Sequence, residues 1–311
     1  MITLARPSAA RAALRDSGSL VVEPGTIEVA GRRRTYSEVR PAGLPQGAPL
    51  LLVFHGSNQH GRKLRAFSGH TFDALAARSG VRVVYLDGYK GHWNDARVSA
   101  GFAARRENYD DVAFTRAVVS RFTGDGRADP ARVHCAGYSN GGQMVIRLLH
   151  EVPELFAGAA VIAATQPAPE NFMAVGEVRP LPVLLVHGTR DPLVPYDGGM
   201  ASMWGFRPRG LGLSFAQTAA YYARRNGIGT APVSGRREPG PRARGTSVET
   251  VDHREPGKPS VRAVTVHNGG HVVPNLTAAA PRLLGRTNLE FDTGRAMWDF
   301  FTAEAAGEAR G

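Results

Sequence analysis

Residues 132–144 read RVHCAGYSNGGQM: a short apolar run, a serine between glycines, and the start of a segment with helical spacing. Val133 to Ala136 are small or β-branched, and Met144, Val145, Leu148 and Leu149 then fall on one helical stripe. The reading is strand, sharp turn, helix, with Ser139 on the turn. Gly137 and Gly141 stand two residues to either side, where a crowded backbone leaves little room for side chains. The same arrangement aims a helix N-terminus at the serine, and its free N–H groups favour developing negative charge. The pentapeptide alone is weak evidence. With 37 glycines in 311 residues, about 0.2 accidental Gly-x-Ser-x-Gly matches are expected, so the neighbourhood has to decide.

Outward from this stretch lie further apolar runs: LLLVF (50–54), VRVVYL (81–86), GAAVIAA (158–164), PVLLVHG (182–188) and VRAVTVHN (261–268). Their length and largely apolar make-up predict strands buried on both faces. Helical spacing marks residues 70–79, 109–122, 141–150, 214–226 and 287–304. Strands alternating with helices predict an α/β fold, a mostly parallel, doubly wound sheet with flanking helices. TIEVAGRRRTYSEVRP (26–41), with two β-rich runs around Gly31, predicts an N-terminal hairpin. The chain reads as a single domain over 1–311, with 1–18 a peripheral extension. Residues 229–260, rich in Gly, Pro and Arg, read as an exposed excursion that contains a strand at TSVETV (246–251).

Composition narrows the function classes. A content of 42% hydrophobic residues over 311 residues suits one large core or two modest ones. The single cysteine, Cys135, excludes an internal disulfide and, inside a buried run, reads as a small core residue. The first twenty residues lack the apolar segment of a secretory signal, so a cytoplasmic location is the expectation unless a leader has been removed. No apolar run approaches the length of a membrane helix, and no membrane partner is expected. The net charge of +11 is almost all arginine, since only Lys63, Lys90 and Lys258 are lysines. Those arginines are scattered and no recognition-helix or aromatic-basic motif accompanies them, so no nucleic-acid partner is expected.

A serine nucleophile needs a base, and the base an orienting carboxylate. PVLLVHGTRDPLVP puts Asp191 just beyond one strand, and VRAVTVHNGGHVVP puts His271 just beyond the next, on a glycine-rich loop. Ser139, Asp191 and His271 thus each follow the carboxyl end of a strand, where open α/β sheets place their sites. The first central strand ends in FHGSNQHG (54–61), whose turn can present the Ser57 N–H beside that of Asn140 as an oxyanion hole.

Seven ordered blocks, FHGSNQHG, YLDGYKGHWNDAR, YDDVAFTRAVV, DPARVHCAGYSNGGQM, VHGTRDPLVPYDGG, TAAYYARRNG and HNGGHVVP, resemble the polyhydroxybutyrate depolymerase and feruloyl esterase-like branch of the α/β-hydrolases, over about residues 31–304. The resemblance implies a serine esterase with Ser139 as nucleophile, His271 as base and Asp191 as its partner, acting on small-molecule esters such as hydroxyalkanoate oligomers or feruloyl-like aryl esters. It also implies that Trp93 and Asn94 of HWNDAR line the acyl side of the pocket. Secreted members often carry a leader, a cysteine after the His-Gly turn and a polymer-binding module; here Ser57 holds that position, and soluble esters are the expected substrates.

Rival readings have their own marks. His267 and His271 are four apart, but they flank Asn-Gly-Gly and so lie off any helix, and neither a metal nor a cofactor is expected. The same three residues could serve an acyltransferase or peptidase, which differ in the acceptor admitted. A non-catalytic binding protein has no use for all three. His55 and His187, each followed by glycine at a strand end, read as structural.

Overall fold

The computed structural model describes residues 20–308 apart from 175 and 177; the expected peripheral extension over 1–18 lies outside the described residues. The strands are β1 (Leu20–Val29), β2 (Arg32–Pro41), β3 (Ala48–Phe54), β4 (Arg82–Leu86), β5 (Ala128–Tyr138), β6 (Gly158–Ile162), β7 (Val183–Gly188), β8 (Gly199–Met200), β9 (Leu211–Gly212), β10 (Val233–Arg237), β11 (Ser247–Glu255) and β12 (Lys258–His267). The helices are α1 (Gly61–Phe67), α2 (Thr71–Ser79), α3 (Ala103–Arg106), α4 (Asp111–Gly124), α5 (Asn140–Glu151), α6 (Phe215–Arg225) and α7 (Thr293–Glu308).

Ten strands form one sheet in the order β1-β2-β4-β3-β5-β6-β7-β12-β11-β10, and β8 pairs with β9 apart from it. The middle, from β4 to β12, is parallel, and antiparallel strands extend both edges. Strand alternation, with a core on each face of the sheet, explains the apolar runs. Leu50, Leu52 and Phe54 of β3 point into one core with Phe114, Phe122, Met144 and Leu148 of α4 and α5. Leu51 and Val53 point into the other, with Phe72, Leu75, Met297 and Phe300 of α2 and α7. Each such side chain taken fully from water contributes roughly 2 kcal/mol. Cys135 lies fully buried in β5.

The sheet order places the topological switch at β3–β5. The chain leaves β3 toward β4 on one side and returns to β5 on the other, so the loops after β3 and β5 diverge and open a crevice at the carboxyl ends. Ser57 and Ser139 sit on those two loops.

The expected hairpin forms from ten-residue strands paired Leu20↔Pro41 to Val29↔Arg32. Its two turn residues, Ala30 and Gly31, both have positive φ (48° and 70°), the geometry of a type I′ turn. Two expectations need correction. The segment 229–260 is more than an exposed excursion: β10 and β11 carry the sheet outward by antiparallel pairing with β12, and the intervening loop is tied down where Glu290 accepts from the N–H groups of Gly240 and Arg242. The last helix begins at Thr293 and not near 287, because Asn288 turns the chain first, its Oδ1 accepting from the N–H groups of Glu290 and Phe291.

Candidate active site

Ser139 has φ 57° and ψ −117°, a region that costs a non-glycine residue of order 1–3 kcal/mol. Its surroundings impose that conformation. A Cβ on Gly137 would lie 2.1 Å from the Gly141 carbonyl oxygen, and one on Gly141 would lie 2.1 Å from that of Phe54. Strand and helix backbones therefore touch across the turn, which only glycine allows. The Ser139 N–H donates to Ile162 O at 2.8 Å, and Ser139 O accepts from Gln143 N–H at 3.0 Å, so the turn is closed from both sides.

The loops after β7 and β12 approach just as closely. A Cβ on Gly188 would come within 2.4 Å of Gly269 O, and one on Gly270 within 2.0 Å of Leu284 O. This packing brings Asp191 and His271 side by side. His271 Nδ1 donates to Asp191 Oδ2 at 2.7 Å, and Nε2 accepts from the Ser139 hydroxyl at 2.8 Å. The tautomer follows from the partners, since a carboxylate can only accept and a neutral imidazole donates once. The other carboxylate oxygen of Asp191 accepts from the N–H groups of Leu193 and Val194, each at 2.8 Å. Burial works against the Asp191 carboxylate, but the His271 ring, with His187 and the Val194 N–H, outweighs it and holds the group below the ordinary aspartate value. Tyr138, next to the serine, donates from its hydroxyl to His271 O at 2.8 Å and fixes the histidine's backbone.

Ser57 and Asn140 border the same cavity, and among the described residues neither N–H has a hydrogen-bond partner. The His-Gly turn is held rigidly: Gln59 Oε1 accepts from Gly56 N–H at 3.1 Å, Asn58 N–H donates to Gly91 O at 2.9 Å, and His55 Nε2 accepts from Gly88 N–H at 2.9 Å. Burial pushes His55 down to about 4, so it serves here as a neutral ring.

Against this geometry stand the comparisons with known proteins. The chain is 36% identical over 291 residues to "Putative esterase NocK" of Nocardia uniformis subsp. tsuyamanensis, spanning 88% of this chain and 80% of that protein. It is 32% identical over 170 residues to "Feruloyl esterase B" of Piromyces equi, and 27% over 165 residues to "Poly(3-hydroxyalkanoate) depolymerase C" of Paucimonas lemoignei. The chain belongs to the polyhydroxybutyrate depolymerase and feruloyl esterase-like α/β-hydrolases. It is a carboxylic ester hydrolase. The matches to the latter two cover 51% and 52% of this esterase but only 29% and 37% of those proteins. The solved structure of the acetyl xylan esterase from Aspergillus awamori shares its fold, with a TM-score of 0.57 at 16% identity over 81% of this chain and 95% of that one. No family model matches the chain.

Within this esterase the block HWNDAR is used differently from the expectation. Trp93 is fully buried and does not border the cavity. Its Nε1 donates to His55 O at 2.8 Å, and its N–H donates to the side-chain oxygen of Asn140 at 2.9 Å. Asn94 is also buried and points away from the site, its Nδ2 donating to Tyr109 O at 3.0 Å. Neither lines the pocket, because the backbone leaving β4 turns both into the packing behind α5. The residues that reach the site are their neighbours. Asp95 accepts from Asn140 Nδ2 at 2.6 Å, and Arg97 forms part of the cavity wall. Sequence reasoning also missed the wall supplied by the β8–β9 segment, whose short strands carry no periodic signal. The two histidines four apart, His267 and His271, have separate partners, His267 pairing with Glu249 at 2.6 Å and His271 with Asp191, while the buried His187 donates from Nε2 to Val194 O at 3.0 Å. Among the described residues no helix is long and apolar enough to cross a membrane.

Proposed function

We propose that this esterase works by two-step acyl transfer through a covalent acyl-enzyme on Ser139. The hydrogen-bonded run Ser139–His271–Asp191 carries the reading. Oγ of Ser139 attacks the ester carbonyl carbon while His271 Nε2 takes its proton, and Asp191 stabilises the imidazolium that results. The negative charge gathering on the carbonyl oxygen falls to the Ser57 and Asn140 N–H groups, which have no other partner to give up. The imidazolium then protonates the departing alcohol as the carbon–oxygen bond breaks. Water, deprotonated by the same histidine, attacks the acyl-serine, releases the acid and restores Ser139.

The substrates in this reading are small esters, hydroxyalkanoate oligomers or feruloyl-like aryl esters. Support comes from a cavity of about 190 Å³ with Phe102, Met203 and Leu211 on its wall, below the roughly 300–1,000 Å³ of pockets for drug-sized ligands, and from the names of the relatives. Labelling with a fluorophosphonate, followed by a series of nitrophenyl esters of increasing acyl length, tests it. The label is expected on Ser139 alone, with turnover falling as the acyl chain outgrows the cavity. Labelling elsewhere, or undiminished turnover by Ser139→Ala, would sink the mechanism.

A further inference from the structure

The cavity wall beside Ser139 carries three arginines, Arg97, Arg207 and Arg209, and among the described residues no carboxylate. One of the three is neutralised. Arg97 is held by Asp95 through contacts of 2.6 and 3.1 Å, and the same carboxylate is further engaged by Asn140. Arg209 is different. It is half-buried with its guanidinium 4.3 Å from the centre of the Phe102 ring, and among the described residues its side chain has neither an ion-pair nor a hydrogen-bond partner. Arg207, exposed at the cavity mouth, has none either.

An arginine-rich chain puts arginines everywhere, so the comparison that matters is with the other partly buried ones. Arg262 pairs with Asp252, the more deeply buried Arg34 and Arg82 pair with Asp111 and Glu38, and Arg105 and Arg225, which lack a carboxylate, donate to the carbonyl oxygens of Asp95 and Leu149. Arg209 breaks that pattern, although its backbone is fixed: its N–H donates to Ala201 O at 2.7 Å beside the β8–β9 pair. Burial, with the charges of Arg97 and Arg207 beside it, holds its guanidinium below the ordinary arginine value, against the pull of Asp95. A partly desolvated cation that the protein leaves unpaired is stabilised when an anion arrives, and a planar guanidinium suits a carboxylate in two parallel hydrogen bonds.

We propose that Arg209, assisted by Arg207, determines specificity by binding a carboxylate on the substrate, so that the esterase takes esters bearing a free acid group. A hydroxyalkanoate oligomer carries such a group at its end, and a neutral aryl ester does not. This rests on the reading that Ser139 opens the ester in this cavity. The carboxylate can belong to the acyl part or to the alcohol part, and two matched pairs separate these: mono-4-nitrophenyl glutarate against 4-nitrophenyl valerate, and the linear 3-hydroxybutyrate dimer against its methyl ester, followed at the internal ester bond.

In at least one pair the charged member is expected to have a kcat/KM tenfold or more above the neutral one at low salt, and the preference should shrink as salt is added. Arg209→Gln is expected to lower that ratio at least tenfold, chiefly through KM of the charged ester, and Arg209→Lys to keep part of it. Arg295→Gln, which removes the same charge from the exposed face of α7, should leave the ratio unchanged. The proposal is overturned if the neutral ester is preferred in both pairs, if the preference survives Arg209→Gln, or if Arg295→Gln lowers it equally. Turnover that is independent of Ser139 would overturn the acyl-enzyme reading instead. In that case binding of monomethyl glutarate to the Ser139→Ala protein, with and without Arg209→Gln, still decides whether Arg209 holds a carboxylate.

Discussion

Ser139 is strained and Asp191 is desolvated, and both costs are met by contacts that leave each side chain one task. The serine backbone is clamped by Ile162 and Gln143, so its Oγ is held 2.8 Å from His271. In the proposed mechanism, Ser139→Ala is expected to lose about a million-fold in kcat, the scale seen when a triad nucleophile is removed, with the fold retained. Near-normal turnover with unchanged circular dichroism would refute it. Asp191→Asn is expected to lose less, on the order of ten-thousand-fold. The two N–H groups of Leu193 and Val194 keep the amide oxygen on their side, which turns the amide NH₂ toward His271 Nδ1 and forces the wrong tautomer. Asp197, six residues on, is exposed, and Asp197→Asn should stay within a few-fold of the wild type. A reversal of that order in steady-state assays would move the acid to Asp197.

At the scale of elements, the site depends on backbones that meet. Gly141→Ala would put a methyl group 2.1 Å from Phe54 O, so β3 and α5 must separate; a loss of several kcal/mol in denaturant unfolding is expected, on the scale of overpacking a core plus broken backbone contacts. Trp93 acts through its neighbours. It braces the turn that carries Ser57 and the side chain of Asn140, so Trp93→Phe, which removes the bond to His55 O, is expected to lower kcat more than it raises KM. A change in KM alone would restore the pocket-wall role. The central strands were legible in the sequence because both faces of β3, β7 and the second half of β5 are buried and their runs are largely apolar, interrupted only by His134 and His187. The loops after them were legible because glycine marks each close approach. The edge was not: every residue of β10 is exposed, so no apolar alternation distinguishes VSGRR from a loop, and only pairing to β11 makes it a strand. Within HWNDAR the residue types named a site block, yet which side chains face the cavity depends on the turn after β4, which carries no periodicity.

For the whole molecule the two cores on either side of one sheet bury histidines as well as hydrocarbon. His55, His134 and His150 are each 7% exposed or less, and burial pushes each from 6.5 down to about 4. His134 shows why: it lies between Trp298 and Phe301 of α7, stacked on the latter at 4.8 Å, and its Nδ1 has no partner among the described residues. The unfolded chain therefore binds protons between pH 6.5 and 4 that the folded chain refuses, so stability rises with pH across that window. Below about 4 the folded rings take up protons as well, and their contribution levels off. Asp191 acts in a lower window, since its depressed value stabilises the fold above the ordinary aspartate range and that stabilisation fades as pH falls further. Each histidine is worth roughly 3 kcal/mol at most over its window, and three together rival the roughly 5–15 kcal/mol total of a typical domain. Acid unfolding is thus expected to set in while most carboxylates are still ionised. His134→Phe keeps the stacking and removes one titrating ring, so it should lower the proton uptake on unfolding at pH 5 by about one and flatten the stability curve between pH 4 and 6.5. Urea unfolding of wild type and variant at a series of pH values measures this, and parallel curves would show that His134 is not held neutral by its burial.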